Sequence, residues 1–149
     1  MQTSALRILS IITLVAAPLF AHGDHDQKPV AGPNGGRLIT AVEPHAEFLV
    51  TPERKVRVTF VGDDGKPVAT VGRSVKVTTG QRSAPTTLTF VESDGALLSE
   101  QTLPEGNNHP TVVVIRASAD AKPVVERFNL NLADCGGCDR PEYACTCGH

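Results

Sequence analysis

The sequence predicts an all-β protein, a small antiparallel sandwich of immunoglobulin type or a related barrel, with a cysteine-rich C-terminal tail. Three observations lead there. Apolar residues recur with period two through the middle of the chain, turn-forming clusters interrupt these runs at roughly ten-residue intervals, and no stretch carries an apolar face of helical period.

Taken in order, Ala46, Phe48 and Val50 fall on one face of a first clear strand, with His45 and Glu47 on the opposite, polar face. In the next run Val56, Val58 and Phe60 alternate with Lys55, Arg57 and Thr59, the pattern of a strand with one wet side. The same alternation pairs Val75 with Val77, Leu88 with Phe90, and Phe128 with Leu130 and Leu132, while 112–115 is apolar on both sides and reads as a central strand. Together with Val113 and Ile115 these residues form the expected interior. Clusters of Gly, Pro, Asp, Asn and Ser at 63–67, 80–85, 93–95, 104–110 and 118–123 supply the turns. Six to eight short strands are therefore expected within 35–132.

The N-terminal segment 1–21 has one positive charge, Arg7, an apolar run over 8–17, a Pro18 break and a small residue, Ala21, where a signal peptidase can cut. The run is short for a bilayer and no stop-transfer pattern follows, so a cleaved secretory signal is expected, giving a periplasmic or secreted protein without a membrane span after cleavage. Without that segment the chain has 13 basic and 16 acidic residues, since Arg7 is the one charge lost from the 14 Lys and Arg. That balance argues against nucleic acid, and the absence of Trp with 4% aromatic residues argues against a stacking platform for bases or sugars. The stretch 22–34, rich in His, Asp, Gly and Pro, reads as a flexible arm.

All four cysteines lie in the tail 133–149, with the spacing C-x2-C-x6-C-x-C-x-H formed by Cys135, Cys138, Cys145, Cys147 and His149. Four thiolates can close round one tetrahedral Zn²⁺ or a thiophilic Cu(I), with the terminal imidazole as a further donor. Arg140, inside the six-residue loop, can offset some of the thiolate charge. In an oxidising compartment the same cysteines can instead form two disulfides, for example Cys135 with Cys147 and Cys138 with Cys145. A thioredoxin-type redox pair at Cys135 and Cys138 needs a helix start in a βαβ context, and none precedes it. Metal site and disulfide knot both stay open at this point.

The histidines extend the donor inventory. If cleavage follows Ala21, the amine and imidazole of His22 can chelate Cu²⁺, with His25, Asp24 and Asp26 in reach. His45 and Glu47, two apart on a strand, can share an ion or pair with each other and a neighbouring Arg. His109 sits in a turn-rich stretch and reads as a loop residue.

The segments Gly32-Pro-Asn-Gly-Gly-Arg-Leu38, His45-Ala-Glu-Phe-Leu-Val50 and Asp63-Asp-Gly-Lys-Pro67 together resemble the small exported β-domain of bacterial heavy-metal-resistance proteins and of periplasmic adaptor subunits of metal efflux pumps. The resemblance covers roughly 32–132. It implies a periplasmic setting, handling of copper, zinc or related ions, possible partnership with an efflux-pump component and no enzymatic activity, and it makes His45 and Glu47 the positions to carry over. Tyr143-Ala-Cys145-Thr-Cys147-Gly-His149 also resembles a Tyr-x-Cys-x-Met-His heavy-metal motif, with Cys147 in place of methionine. The chain lacks the helical hairpin and lipoyl-like segments of a full adaptor. Ser, His and Asp are present without a nucleophile elbow or a local triad signature. The expectation is a metal-binding accessory protein; the alternative is a non-catalytic structural or interaction domain with a disulfide-stapled tail.

Overall fold

Alternation of β-branched and aromatic residues with charged or hydroxylated ones forms strands because each side of a pleated backbone meets a different environment. The computed structural model describes residues 29–147, and there the chain forms ten strands: β1 (Val30–Ala31), β2 (Arg37–Ile39), β3 (His45–Val50), β4 (Val56–Val61), β5 (Ser74–Gln81), β6 (Ala84–Leu88), β7 (Phe90–Ser93), β8 (Ala96–Ser99), β9 (Asn108–Arg116) and β10 (Val124–Asn131). The first sheet has the order β1-β2-β3-β4-β8-β7 and the second β10-β9-β5-β6, with every pairing antiparallel. The two sheets pack face to face as a sandwich. The count exceeds the six to eight strands expected because two short strands, β1 and β2, precede the first clear alternation and the stretch 84–99 folds as three.

Register carries the alternation into the core. Phe48 stands opposite Val58 and Ala46 opposite Phe60 across β3 and β4, and all four side chains are buried. Val77, Leu88, Val113, Ile115 and Leu130 face them from the second sheet and are likewise buried. β9 lies between β10 and β5, the central position its doubly apolar sequence predicts. Asp94 and Gly95 both take positive φ, 50° and 72°, which is the twist a two-residue hairpin between β7 and β8 requires.

Several expectations need correction. Val75, Phe90, Phe128 and Leu132 pack against the core but are only half-buried, in the case of Phe90 and Phe128 because β7 and β10 are edge strands with one flank open. His109 is a strand residue, 5% exposed, whose Nε2 donates to the Gly106 carbonyl at 3.1 Å. The end of the presumed flexible arm contains β1, with Val30 paired to Leu38. Ile39, Val42, Leu97, Leu103, Tyr143 and Ala144 also belong to the core, the last two contributed by the tail.

Candidate metal centre

The tail folds back on itself before it meets the sandwich. Leu132 N–H donates to Asn107 O at 2.7 Å as β10 ends, then Glu142 N–H donates to Ala133 O and Cys135 N–H to Arg140 O, each at 2.9 Å. Asp134 and Pro141 form an antiparallel bridge between these bonds. The result is a small hairpin whose loop carries Cys135 and Cys138. Pro141, with φ of −65°, then leads into a 3₁₀ turn, Glu142–Ala144, which Cys145 ends in extended conformation at φ −66° and ψ 134°. In extended chain, residues two apart share a side, so Cys147 follows Cys145 toward the hairpin loop.

This path brings all four thiols together. The sulfurs of Cys135, Cys138, Cys145 and Cys147 lie within 4.8 Å of one another. Cys145 Sγ is 3.1 Å from Cys135 Sγ and 3.7 Å from Cys138 Sγ, and none of the four is joined in a disulfide in this structure. A tetrahedral ion with bonds of about 2.3 Å to sulfur needs sulfurs about 3.8 Å apart, so small shifts of the thiols generate that donor set. The loop glycine belongs to this geometry: a Cβ at Gly137 would come within 3.2 Å of Cys147 Sγ. Backbone amides also point inward, Gly137 N–H to Cys135 Sγ at 3.4 Å and Cys147 N–H to Cys145 Sγ at 3.2 Å. Donors of that kind spread the negative charge that thiolates bring to an ion.

The thiols do not ionise alike. A hydrogen bond from the Cys145 thiol, helped by Gly137 N–H and opposed by burial, brings Cys135 down to about 7. Cys145 is pushed up to about 12, first by that same bond to Cys135 and then by desolvation. Cys147 is raised, chiefly by its interaction with Cys138. Cys135 is therefore the thiol these contacts bring toward ionisation near neutral pH, beside Cys145 and Cys147, which they hold protonated.

Between the two cysteine pairs stands Tyr143, the one tyrosine of the chain. Its ring meets Phe48 edge-on at 6.0 Å, and Phe48 in turn meets Phe128 edge-on at 5.3 Å across the two sheets. Its hydroxyl accepts Val50 N–H at 3.0 Å. Thr51 N–H bonds to Lys55 on the β4 side, so the preceding amide, at Val50, points the other way, toward β2, which begins too late in the sequence to reach it. Burial, with the charge of Glu47 as a lesser cause, raises the Tyr143 phenol above its ordinary pKa. Sequence reasoning missed this role; the one signal was an aromatic residue in an otherwise polar tail.

The remaining candidates lie elsewhere. Glu47 was expected on a solvated face, but it is fully buried, because the turn between β1 and β2 folds over that face of β3. Its carboxylate accepts Asn34 N–H at 2.8 Å, Asn34 Nδ2–H at 2.6 Å and Gly36 N–H at 2.9 Å. A Cβ at Gly32 would overlap the Glu47 side chain, and one at Gly36 would overlap the Phe48 carbonyl. The Gly32-Pro-Asn-Gly-Gly segment is thus the cradle of a structural carboxylate. His45 uses Nδ1–H to donate to Val42 O at 3.0 Å, with Glu43 Oε2 3.3 Å away, so it and Glu47 engage separate partners. Arg140 contributes its main-chain carbonyl to the hairpin. The segment 1–21 and His22, His25 and His149 lie outside the described residues.

Comparison of the chain with protein-family models, with curated proteins and with solved structures finds no match.

Proposed function

We propose that this chain is an exported, non-catalytic metal-binding accessory protein that handles copper or zinc in heavy-metal homeostasis or efflux. The observation that carries the reading is the convergence of the Cys135, Cys138, Cys145 and Cys147 sulfurs within 4.8 Å of one another. Four soft donors that small shifts bring to tetrahedral spacing suit Zn²⁺ and Cu(I) above harder ions. A closed set of four protein ligands leaves no position for a reacting water or substrate, which supports binding over catalysis. Support for the exported setting comes from the apolar leader-like segment and from the resemblance to exported heavy-metal-resistance domains, which also makes an efflux-pump component the class of partner to test. His149 and the arm histidines His22 and His25 are further donors on this reading.

Native mass spectrometry of protein purified from its own compartment, with free thiols counted in parallel, tests the proposal. One bound ion per chain, with four thiols recovered after its removal, is the expected result. Two disulfides and no metal would replace it with the alternative, an interaction domain closed by a disulfide knot.

A further inference from the structure

We propose that an ion at the four cysteines acts as a latch that holds Tyr143 in the seam between the sheets, so that occupancy of the centre is transmitted to the end of β3. The inference rests on the metal-binding reading above and adds a consequence to it.

The hairpin bonds of the tail are local. Glu142 to Ala133, Cys135 to Arg140, Ala144 to Pro141 and Cys145 to Glu142 all join residues of the tail to one another. Docking on the sandwich includes burial of Tyr143 and Ala144, the edge contact with Phe48 and the Val50 N–H bond to the Tyr143 hydroxyl. These anchors occupy the residues directly between the cysteine pairs, and Cys145 follows Ala144 without a spacer. An ion that joins Cys135 and Cys138 to Cys145 and Cys147 therefore fixes both ends of the anchor segment at once. Without an ion, the local hairpin bonds and the burial of Cys135, Tyr143, Ala144 and Cys145 alone offset the conformational entropy of ordering the tail, and an ion joining the four cysteines adds a crosslink that favours the docked state. Metal binding and docking are then linked equilibria, and each strengthens the other by the same factor. When the tail leaves, Val50 loses the acceptor for its amide and Phe48 loses one wall of its cavity.

The test uses the full chain, kept reduced, with Zn²⁺ added alone. Val50 amide exchange and Tyr143 emission are followed beside metal stoichiometry; the chain has no Trp, so the tyrosine signal is clean. Zinc should slow exchange at Val50 by roughly 10- to 100-fold, the usual span of coupling between two sites, and a chelator should reverse it. In Tyr143→Phe the ring still packs and zinc still binds, but exchange at Val50 should become insensitive to zinc. One equivalent of bound zinc with Val50 exchange and Tyr143 emission unmoved in the natural chain would overturn the latch and leave the metal centre standing. Failure of the reduced chain to bind zinc would remove both.

Discussion

The Tyr143 hydroxyl accepts the backbone amide of Val50 at 3.0 Å, joining the cysteine tail to a strand 93 positions earlier in the chain. The phenol is consequently part of the fold, and its acidity reports on the fold. Its pKa is raised in the native state, so its contribution to stability is complete below the unfolded value of about 10 and is lost as pH rises through the native one. Absorbance titration of the phenolate should place the native midpoint above 10, and Tyr143→Phe should weaken the alkaline decline in stability.

Metal capture should release protons. Near neutral pH Cys135, at about 7, is partly ionised, whereas Cys145, at about 12, and the raised Cys147 keep theirs. Zn²⁺ has to displace those protons, so affinity should climb with pH and fall steeply below 7, where Cys135 protonates as well. Calorimetry in buffers of different ionisation enthalpy measures the protons released; a count of zero would contradict thiolate ligation.

Glu47 separates a structural carboxylate from a ligand. Glu47→Ala leaves the amides of Asn34 and Gly36 without their acceptor and should cost about 2 to 4 kcal/mol in urea unfolding, while metal stoichiometry in the native state stays the same. A loss of bound metal with no loss of stability would return Glu47 to the ligand set.

Core truncation sets the scale for these effects. Phe60 and Phe48 are fully buried, and either one changed to Ala should cost about 3 to 5 kcal/mol, a large part of the stability of a domain this size. Far-UV circular dichroism of the natural chain should show a β spectrum, and denaturant midpoints give the differences.

The cysteines divide by burial, with Cys135 and Cys145 inside and Cys138 and Cys147 half-exposed. Substituting Cys138 and Cys145 together with Ser should abolish metal binding and loosen Tyr143, while the strand spectrum persists. Collapse of that spectrum would mean that the cysteines hold the whole sandwich.

What could be read beforehand were features set by neighbours in sequence. Val56, Val58 and Phe60 announce an inward face through strict alternation, and crowding of the cysteines announces a common site. What stayed hidden depends on partners far along the chain. Glu47 looks solvent-facing by parity, and only the turn between β1 and β2, folded over that face, supplies its donors, 11 and 13 positions away. His109 sits among turn formers, yet its pairing with Leu130 draws it into a strand. Tyr143 looks like a spacer until the tail folds onto Phe48. Phe128 and Phe90 read as interior because period two reveals which face turns inward, not whether a strand lies at an edge.

The cradle around Glu47 also bears on how this chain can change over generations. Any side chain at Gly32 collides with the acid, any at Gly36 collides with the Phe48 carbonyl, and loss of the acid strands the amides that both glycines' turn presents. The clash at Gly36 is with main chain and holds whatever stands at position 47, whereas the clash at Gly32 is with the Glu47 side chain, so descendants should retain Gly36 throughout and change positions 32 and 47 together. A library randomised at all three positions should then recover glycine at position 36 almost throughout, with few viable chains that carry a side chain at position 32 beside Glu47.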